Sequence, residues 1–257
     1  MTLAFSRTLR GFIVLALALQ YGSRALGAEA ASEKKMRIVL VGDSTVNDGG
    51  GWGSGFKKLL TDRVECTNTA ANGRSTMSFM KEGKWTNALA LKGDYYLIQF
   101  GHNNEPGKPG RSTDMPTFVN DMTKYVDDTR AIGGKPILVT PLTRRQWDKG
   151  QPGKIKSSLM PYADAVKEIG VEKKVPVLDL HARSIEFCQK LGKEGCLAFS
   201  PMKTVDGTNT VDNTHLTGDG HLIFGKLVAE ELLKAVPELK TSFKPETEWP
   251  RVAADRQ

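Results

Sequence analysis

"IVLVGDSTVNDGGGWGSG", residues 38–55, is the stretch whose reading decides the fold. Ile38-Val39-Leu40-Val41 is an unbroken apolar run, the composition of a strand buried on both faces. The run stops at Gly42-Asp43-Ser44, and a cluster of glycines follows. Turn-forming residues after a strand need no function. A serine held at the rim of a sheet is also where a nucleophile would stand. On these residues alone both readings of Ser44 are open.

The same pattern recurs along the chain. Composition and periodicity predict strands at 36–41, 64–70, 94–100, 135–140 and 175–180. They predict helices at 53–63, 115–132, 159–174, 181–191 and 220–235. Alternating βα units with near-continuous apolar strands call for a parallel sheet of about five strands, covered by helices on both faces. Such a three-layer α/β/α domain gathers its ligands at the C-terminal ends of the strands. Ser44 follows the first strand, Asn72-Gly73 the second and His102-Asn103 the third, so three polar clusters fall on one rim.

The chain of 257 residues is long enough for one such domain, read here as 36–240 with a tail at 241–257. Its first residues read differently. Arg7 and Arg10 precede the apolar run 12–19, and small residues follow at 25–30. A basic start, a short apolar core and an A-x-A-like site predict a signal peptide over about 1–27, and hence an exported protein. Removing it takes away Arg7, Arg10 and Arg24, so 36 basic residues become 33 against 29 acidic ones and the charge of +7 becomes +4. No block of like charge and no nucleic-acid motif accompanies that excess, and no nucleic-acid partner or stable membrane insertion is expected. Of three cysteines, the short Cys188–Cys196 loop could close as a disulfide in an exported protein, while Cys66 is expected to be buried and free.

Several motifs are excluded by inspection. Val46 occupies the last position of G-x-S-x-G, so the α/β-hydrolase elbow is not met. "GGGWGSGFKKL" contains neither phosphate-binding glycine pattern, which removes the main support for a nucleotide site. The histidines lack metal-ligand spacing, so neither metal nor cofactor is expected. A serine nucleophile needs a base, a group orienting that base, and oxyanion donors. Asp212 and His215, in "TVDNTHLTGDG", stand close enough to cooperate on one loop. Equally, an aspartate can cap a turn and a histidine begin a helix. His102 competes as base, beside Asn103, whose amide can donate to an oxyanion. His181 and His221 fall in helical stretches and read as partly packed surface groups.

Taken together, "GDS" at 42–44, Gly73 in "AANGRS", Asn103 in "GHNN" and Asp212-x-x-His215 resemble the four blocks of the SGNH (GDSL-like) hydrolases, in order. "NGRSTMSFMKEGKW", "DYYLIQFGHNN" and "DNTHLT" are similar to the rhamnogalacturonan acetylesterase-like branch, a likeness that runs from about 36 to 233. That resemblance implies a flavodoxin-like fold and a serine esterase acting without metal on an acetylated polysaccharide. Ser44 would be the nucleophile, His215 the base and Asp212 its orienter, with Ser44, Gly73 and Asn103 as the oxyanion hole. Asn104 stands where the branch usually carries aspartate. Arg74, His102 and Trp147 are candidates for substrate contact, since aromatics suit sugar faces and arginines suit uronates. Acetylated rhamnogalacturonan is the first expectation, acetylated xylan or a small ester the alternative. A non-catalytic carbohydrate-binding protein is the alternative of another class.

Overall fold

The computed structural model of the protein describes residues 1–2 and 34–250. Beyond its first two residues, the predicted signal peptide lies outside the described residues, as does the end of the predicted tail. Among the described residues no helix is long and apolar enough to cross a membrane.

Five strands make one parallel sheet: β1 (Met36–Gly42), β2 (Val64–Asn68), β3 (Tyr95–Gln99), β4 (Lys135–Val139) and β5 (Val177–Leu178). Their order is β2-β1-β3-β4-β5, the flavodoxin-like arrangement. The chain first steps from β1 to one side and then returns to pair β3 on the other, so the switch point lies between β1 and β3. Successive side chains of one strand face opposite layers. Ile38 and Leu40 join the core beneath α1 (Gly53–Lys57), α6 (Leu180–Leu197) and α7 (Asp219–Ala235), with Phe56, Phe199 and Phe224. Val39 and Val41 face the other core, with Phe79, Trp85, Phe118 and Tyr125. These come from α2 (Thr76–Lys81), α3 (Lys84–Ala90) and α4 (Met115–Ala131), and α5 (Met160–Lys173) completes that layer.

The predicted elements are present, with shifts that have local causes. β5 keeps only two residues because Pro176 cannot donate to a ladder and Asp179 caps α6, accepting the Ala182 N–H at 3.2 Å. The predicted helix from 53 ends at Lys57, since the following backbone pairs elsewhere: Thr61 N–H donates to Ser242 O and Lys244 N–H to Leu59 O. Those bonds correct the tail reading for its first half. Phe243 and Trp249 are buried on the core, too apolar to be left in water. Two elements escaped the periodicity: α2–α3, split by Gly83 at φ +72°, and the hairpin β6 (Met202–Val205) and β7 (Thr208–Val211). The hairpin turns on Asp206-Gly207, both at positive φ.

Of the cysteines, Cys66 is free as expected, and the 188–196 loop is not closed by a disulfide. Cys188 and Cys196 are both buried on α6 and free, with the Cys196 thiol directed at the Cys188 carbonyl, 3.7 Å away. Cys66 is free but half-buried on edge strand β2, and burial pushes its thiol up to about 12.

The α1–α7 crossing fixes where the last loop can lie. A Cβ on Gly55 would stand 1.9 Å from His221 O, and one on Gly225 would stand 2.4 Å from Phe56 N. The two backbones therefore touch, and no flexible side chain is present to yield. Gly225→Ala is expected to cost about 2–3 kcal/mol and to lower Tm by roughly 5–10 °C. A thermal melt unchanged by that substitution would contradict the crossing.

Candidate active site

The turn after β1 is built from short-range bonds. Gly42 leaves no room for a side chain: a Cβ would meet Gln99 O at 2.6 Å and Val46 Cγ2 at 2.5 Å. Asp43 folds over its own turn, its Oδ1 accepting from Thr45 N–H at 2.8 Å and from the Thr45 hydroxyl at 2.7 Å. Gln99, ending β3, donates to Thr45 Oγ1 at 2.7 Å and accepts from Trp52 Nε1 at 2.9 Å. Burial works to raise the Asp43 pKa, but the His102 ring and these bonds outweigh it, and the net direction is down.

This turn aims Ser44 at the loop before α7. The Ser44 hydroxyl donates to His215 Nε2 at 2.8 Å, and His215 Nδ1–H donates to Asp212 Oδ2 at 2.9 Å. Asp212 Oδ1 accepts the backbone N–H of Thr214 at 2.8 Å and of His215 at 3.1 Å. Burial opposes the charge on Asp212, yet the bonds from His215 and the Thr214 N–H prevail and hold its carboxyl at about 2. The carboxylate therefore fixes the tautomer that leaves Nε2 free to accept a proton. Such an arrangement can turn a serine into a nucleophile.

The glycine cluster after Ser44 has a use that composition alone does not reveal. Gly51 lies against the turn, where a Cβ would stand 2.1 Å from the Thr45 backbone. Gly50 O accepts the Leu216 N–H at 2.8 Å, and Gly51 O accepts His221 Nδ1–H at 2.6 Å. These bonds tie the segment after Ser44 to the C-terminal side of the histidine loop and to the first turn of α7.

Sequence reasoning did not single out Arg145 from its neighbours. It is 1% exposed, yet it carries a charge. Its Nη2 donates to Asp212 O at 3.0 Å and to His215 O, its Nε to Ser200 Oγ at 2.8 Å, and its backbone N–H to Asn213 O at 2.8 Å. One guanidinium thus clamps the loop that carries both Asp212 and His215. No pattern in "TPLTRRQW" separates it from Arg144, which instead pairs with Glu105 at 2.6 Å.

Beside Ser44, Ala71 N–H donates to Gly42 O at 3.0 Å and brings in the loop carrying Gly73, at φ +74°. Asn103 Nδ2 donates to Arg74 O at 3.1 Å, which leaves its second N–H unused there. Gly73 and Asn103 are joined by Arg111, whose Nη1 lies 3.3 Å from Gly73 O and 3.4 Å from Asn103 Oδ1. Asn104, where the resemblance led one to expect an acid, is buried and donates to Thr76 Oγ1 at 2.7 Å and Thr113 Oγ1 at 3.0 Å. The Thr76 hydroxyl itself donates a hydrogen bond to Asp121 Oδ2 at 2.6 Å, so an amide at 104 avoids setting two carboxylates around one hydroxyl.

Two histidine readings are corrected, and two candidates for substrate contact are placed. His102 is 2% exposed, with Nδ1 3.6 Å from Asp43 Oδ2, so it is packed behind the turn and makes no hydrogen bond to Ser44. His181 is no surface group: it is buried, and its Nδ1–H donates to Pro141 O at 2.8 Å. Arg74 is held by Glu82 at 2.9 Å on the rim. Trp147 lines a cavity of about 850 Å³ with Arg145, Lys149, Lys193 and Asn213; it adjoins the histidine loop but neither Ser44 nor His215 lines it. Among the described residues no three His, Cys, Asp or Glu side chains converge as a metal-binding group.

Comparison with known proteins gives concordant findings. The GDSL-like lipase/acylhydrolase family model matches residues 40–223. A rhamnogalacturonan acetylesterase, RhgT of Bacillus subtilis, is 36% identical over 213 residues, covering 77% of this chain and 90% of that protein. A rhamnogalacturonan acetylesterase of Emericella nidulans is 27% identical over 225 residues, covering 77% and 84%. Among solved structures, Bacillus subtilis YXIM superimposes with a TM-score of 0.66 at 23% identity, over 81% of this chain; the chain spans 58% of that protein's length. A catalytic mutant of Axe2, an acetylxylan esterase from Geobacillus stearothermophilus, superimposes with a TM-score of 0.59 at 16% identity, covering 84% and 97%. At those identities the superpositions speak for the fold.

The depressed carboxyl of Asp212 makes a prediction about acid stability. A group whose pKa is lowered on folding contributes stability above its unfolded value, about 3.9, and loses it as pH falls through the folded value. Unfolding by denaturant from pH 5 to pH 2 should show the wild type losing stability more steeply below pH 4 than Asp212→Asn. Parallel curves would mean that the carboxylate gains nothing from its partners.

Proposed function

We propose, for a chain that belongs to the GDSL-like lipase/acylhydrolase family and is a carboxylic ester hydrolase, that it releases acetyl groups from an acetylated polysaccharide, rhamnogalacturonan first. The observation that carries the reading is the pair of contacts at His215, 2.8 Å to Ser44 Oγ and 2.9 Å to Asp212. The activity printed for the Bacillus subtilis and Emericella nidulans relatives supports the substrate. The basic and apolar start of the chain supports export before the enzyme meets a polymer.

In the proposed reaction Ser44 Oγ attacks the acetyl carbonyl carbon while His215 Nε2 takes the hydroxyl proton. The carbonyl oxygen becomes an oxyanion between the backbone N–H groups of Ser44 and Gly73 and the free N–H of Asn103. Collapse breaks the bond to the sugar oxygen, which leaves with the proton from His215, and an acetyl-Ser44 ester remains. Water then attacks that ester while His215 Nε2 takes its proton; collapse breaks the bond from the acetyl carbon to Ser44 Oγ, His215 gives the proton back to Ser44, and acetic acid departs, ionising to acetate. Asp212 stabilises the imidazolium in both halves. The negative charge on that oxygen develops only on the way to the tetrahedral intermediate, so the donors act chiefly on kcat.

Acetate release from acetylated rhamnogalacturonan and from acetylated xylan tests the reading. Ser44→Ala should lower kcat by at least about 10³-fold, and Asn103→Ala by about 10²–10³-fold with little change in KM. Mass spectrometry after rapid acid quench should find one acetyl on the peptide carrying Ser44. Full activity in Ser44→Ala would end the serine mechanism. Hydrolysis of aryl acetates with no release from either polymer would keep the mechanism and discard the substrate.

A further inference from the structure

Four basic side chains stand around the oxyanion donors, and three of them have a carboxylate partner. Arg74 pairs with Glu82 at 2.9 Å, while Lys108 at 3.1 Å and Arg144 at 2.6 Å share Glu105. That sharing, with the Ser158 hydroxyl, more than offsets burial and holds Glu105 at about 2, so its charge is committed to the pair. Arg111 is different. Among the described residues no carboxylate lies within 4 Å of it, and its only side-chain bonds run from Nη1 to Gly73 O and Asn103 Oδ1 at 3.3 and 3.4 Å. Nε and Nη2 make no hydrogen bond there, and neither is among the buried unpartnered atoms. One edge of the guanidinium therefore faces outward with its donors free.

The placement of this cation is fixed rather than incidental. Nη1 lies 3.0 Å from where a Cβ on Gly73 would be, against the residue assigned to the oxyanion hole. The loop that presents Arg111 is bonded across its base: Lys108 N–H donates to Ser112 Oγ at 2.8 Å, Ser112 Oγ–H to Glu105 O at 2.7 Å, and Arg111 N–H to Lys108 O at 3.0 Å. A half-exposed guanidinium on a braced loop, beside the reacting carbonyl and without a counter-ion, is a receptor for a planar anion.

We infer that Arg111 is the specificity-determining residue for an anionic sugar: its free edge receives the carboxylate of a uronate unit adjoining the acetylated hydroxyl. The inference rests on the ester-hydrolase reading and deepens it, since a neutral acetylated glycan gives this charge nothing to bind. Acetylated rhamnogalacturonan contains uronate and acetylated xylan backbone does not, so Arg111 divides the two substrates.

The test uses acetylated galacturonate oligosaccharides as free acids and as methyl esters, which differ only in the carboxyl charge. Wild type should favour the free acid by about 10–100-fold in kcat/KM, chiefly through KM. Arg111→Gln should bring that ratio near one, whatever factor both substrates lose together, and Arg111→Lys should restore part of it. Equal rates on acid and ester by the wild type would overturn the inference. So would an unchanged ratio in Arg111→Gln, or an equal loss on both substrates from a wild-type ratio near one, which would confine Arg111 to steadying Asn103. Binding of a deacetylated galacturonate oligosaccharide to Ser44→Ala, measured by calorimetry with and without Arg111→Gln, separates the two readings. Weaker binding in the double variant supports the carboxylate site even if no glycan is deacetylated, and identical or absent binding in both removes it.

Discussion

The meeting of β1 and β3 at their C-terminal ends is the constraint on which the rest depends. There the backbone of Gly42 lies against Gln99 O, and Gln99 in turn bonds the Thr45 hydroxyl and the Trp52 indole. All of these groups are buried, so each polar atom must find its partner inside the protein. The satisfied set admits one arrangement of the turn, and the side chain next in sequence to Asp43 is left pointing at the histidine loop. A serine on a flexible loop would have to be ordered at each encounter. Here the ordering is completed on folding, when the entropy of the turn is already lost.

The opposite wall is held by a different device. The loop from 212 to 218 has no regular secondary structure, and its carbonyls would be free to wander without an internal donor. Arg145 supplies that donor from beneath, to Asp212 O and His215 O, while Gly50 O and Gly51 O receive Leu216 N–H and His221 Nδ1–H from the side. Burying an arginine costs free energy unless its donors are used. In this protein the expense falls on a residue that touches no reacting atom, and the benefit is a fixed distance between His215 and Ser44. The hairpin β6–β7 ends one residue before Asp212, whose N–H bonds Pro201 O at 2.7 Å, so the loop is anchored on that side as well.

Charge on the rim is arranged with similar economy. Glu82 and Glu105 occupy three of the four cations near the oxyanion donors, and Arg111 is the exception among the described residues. An amide at Asn104 keeps a further negative charge away from the same region and hands its hydrogen bonds to two threonines. Four basic side chains stand there against two glutamates, an excess that, in the proposed reaction, would favour both an oxyanion in the transition state and an anionic substrate before it.

Much of this was legible in the residues themselves. The apolar run ending at Gly42, the βα alternation and the order of the four blocks fix the sheet, its two covered faces and the rim that carries Ser44, Gly73, Asn103, Asp212 and His215, because strand composition and turn chemistry are local properties. The Asp206-Gly207 turn carried a hairpin signal that the periodicity passed over, and reading 241 onward as a tail passed over Phe243 and Trp249 as buried anchors. What local sequence could not decide was which of several equal candidates meets which partner. His102 and His215 are both histidines beside turn residues, yet one is sealed behind Asp43 and the other reaches Ser44. Arg144 and Arg145 are neighbours in sequence, yet one pairs with a glutamate and the other clamps the histidine loop. These outcomes follow from contacts between segments 39 to 171 residues apart, whose energies exist only once the sheet and its two helical layers have brought them together.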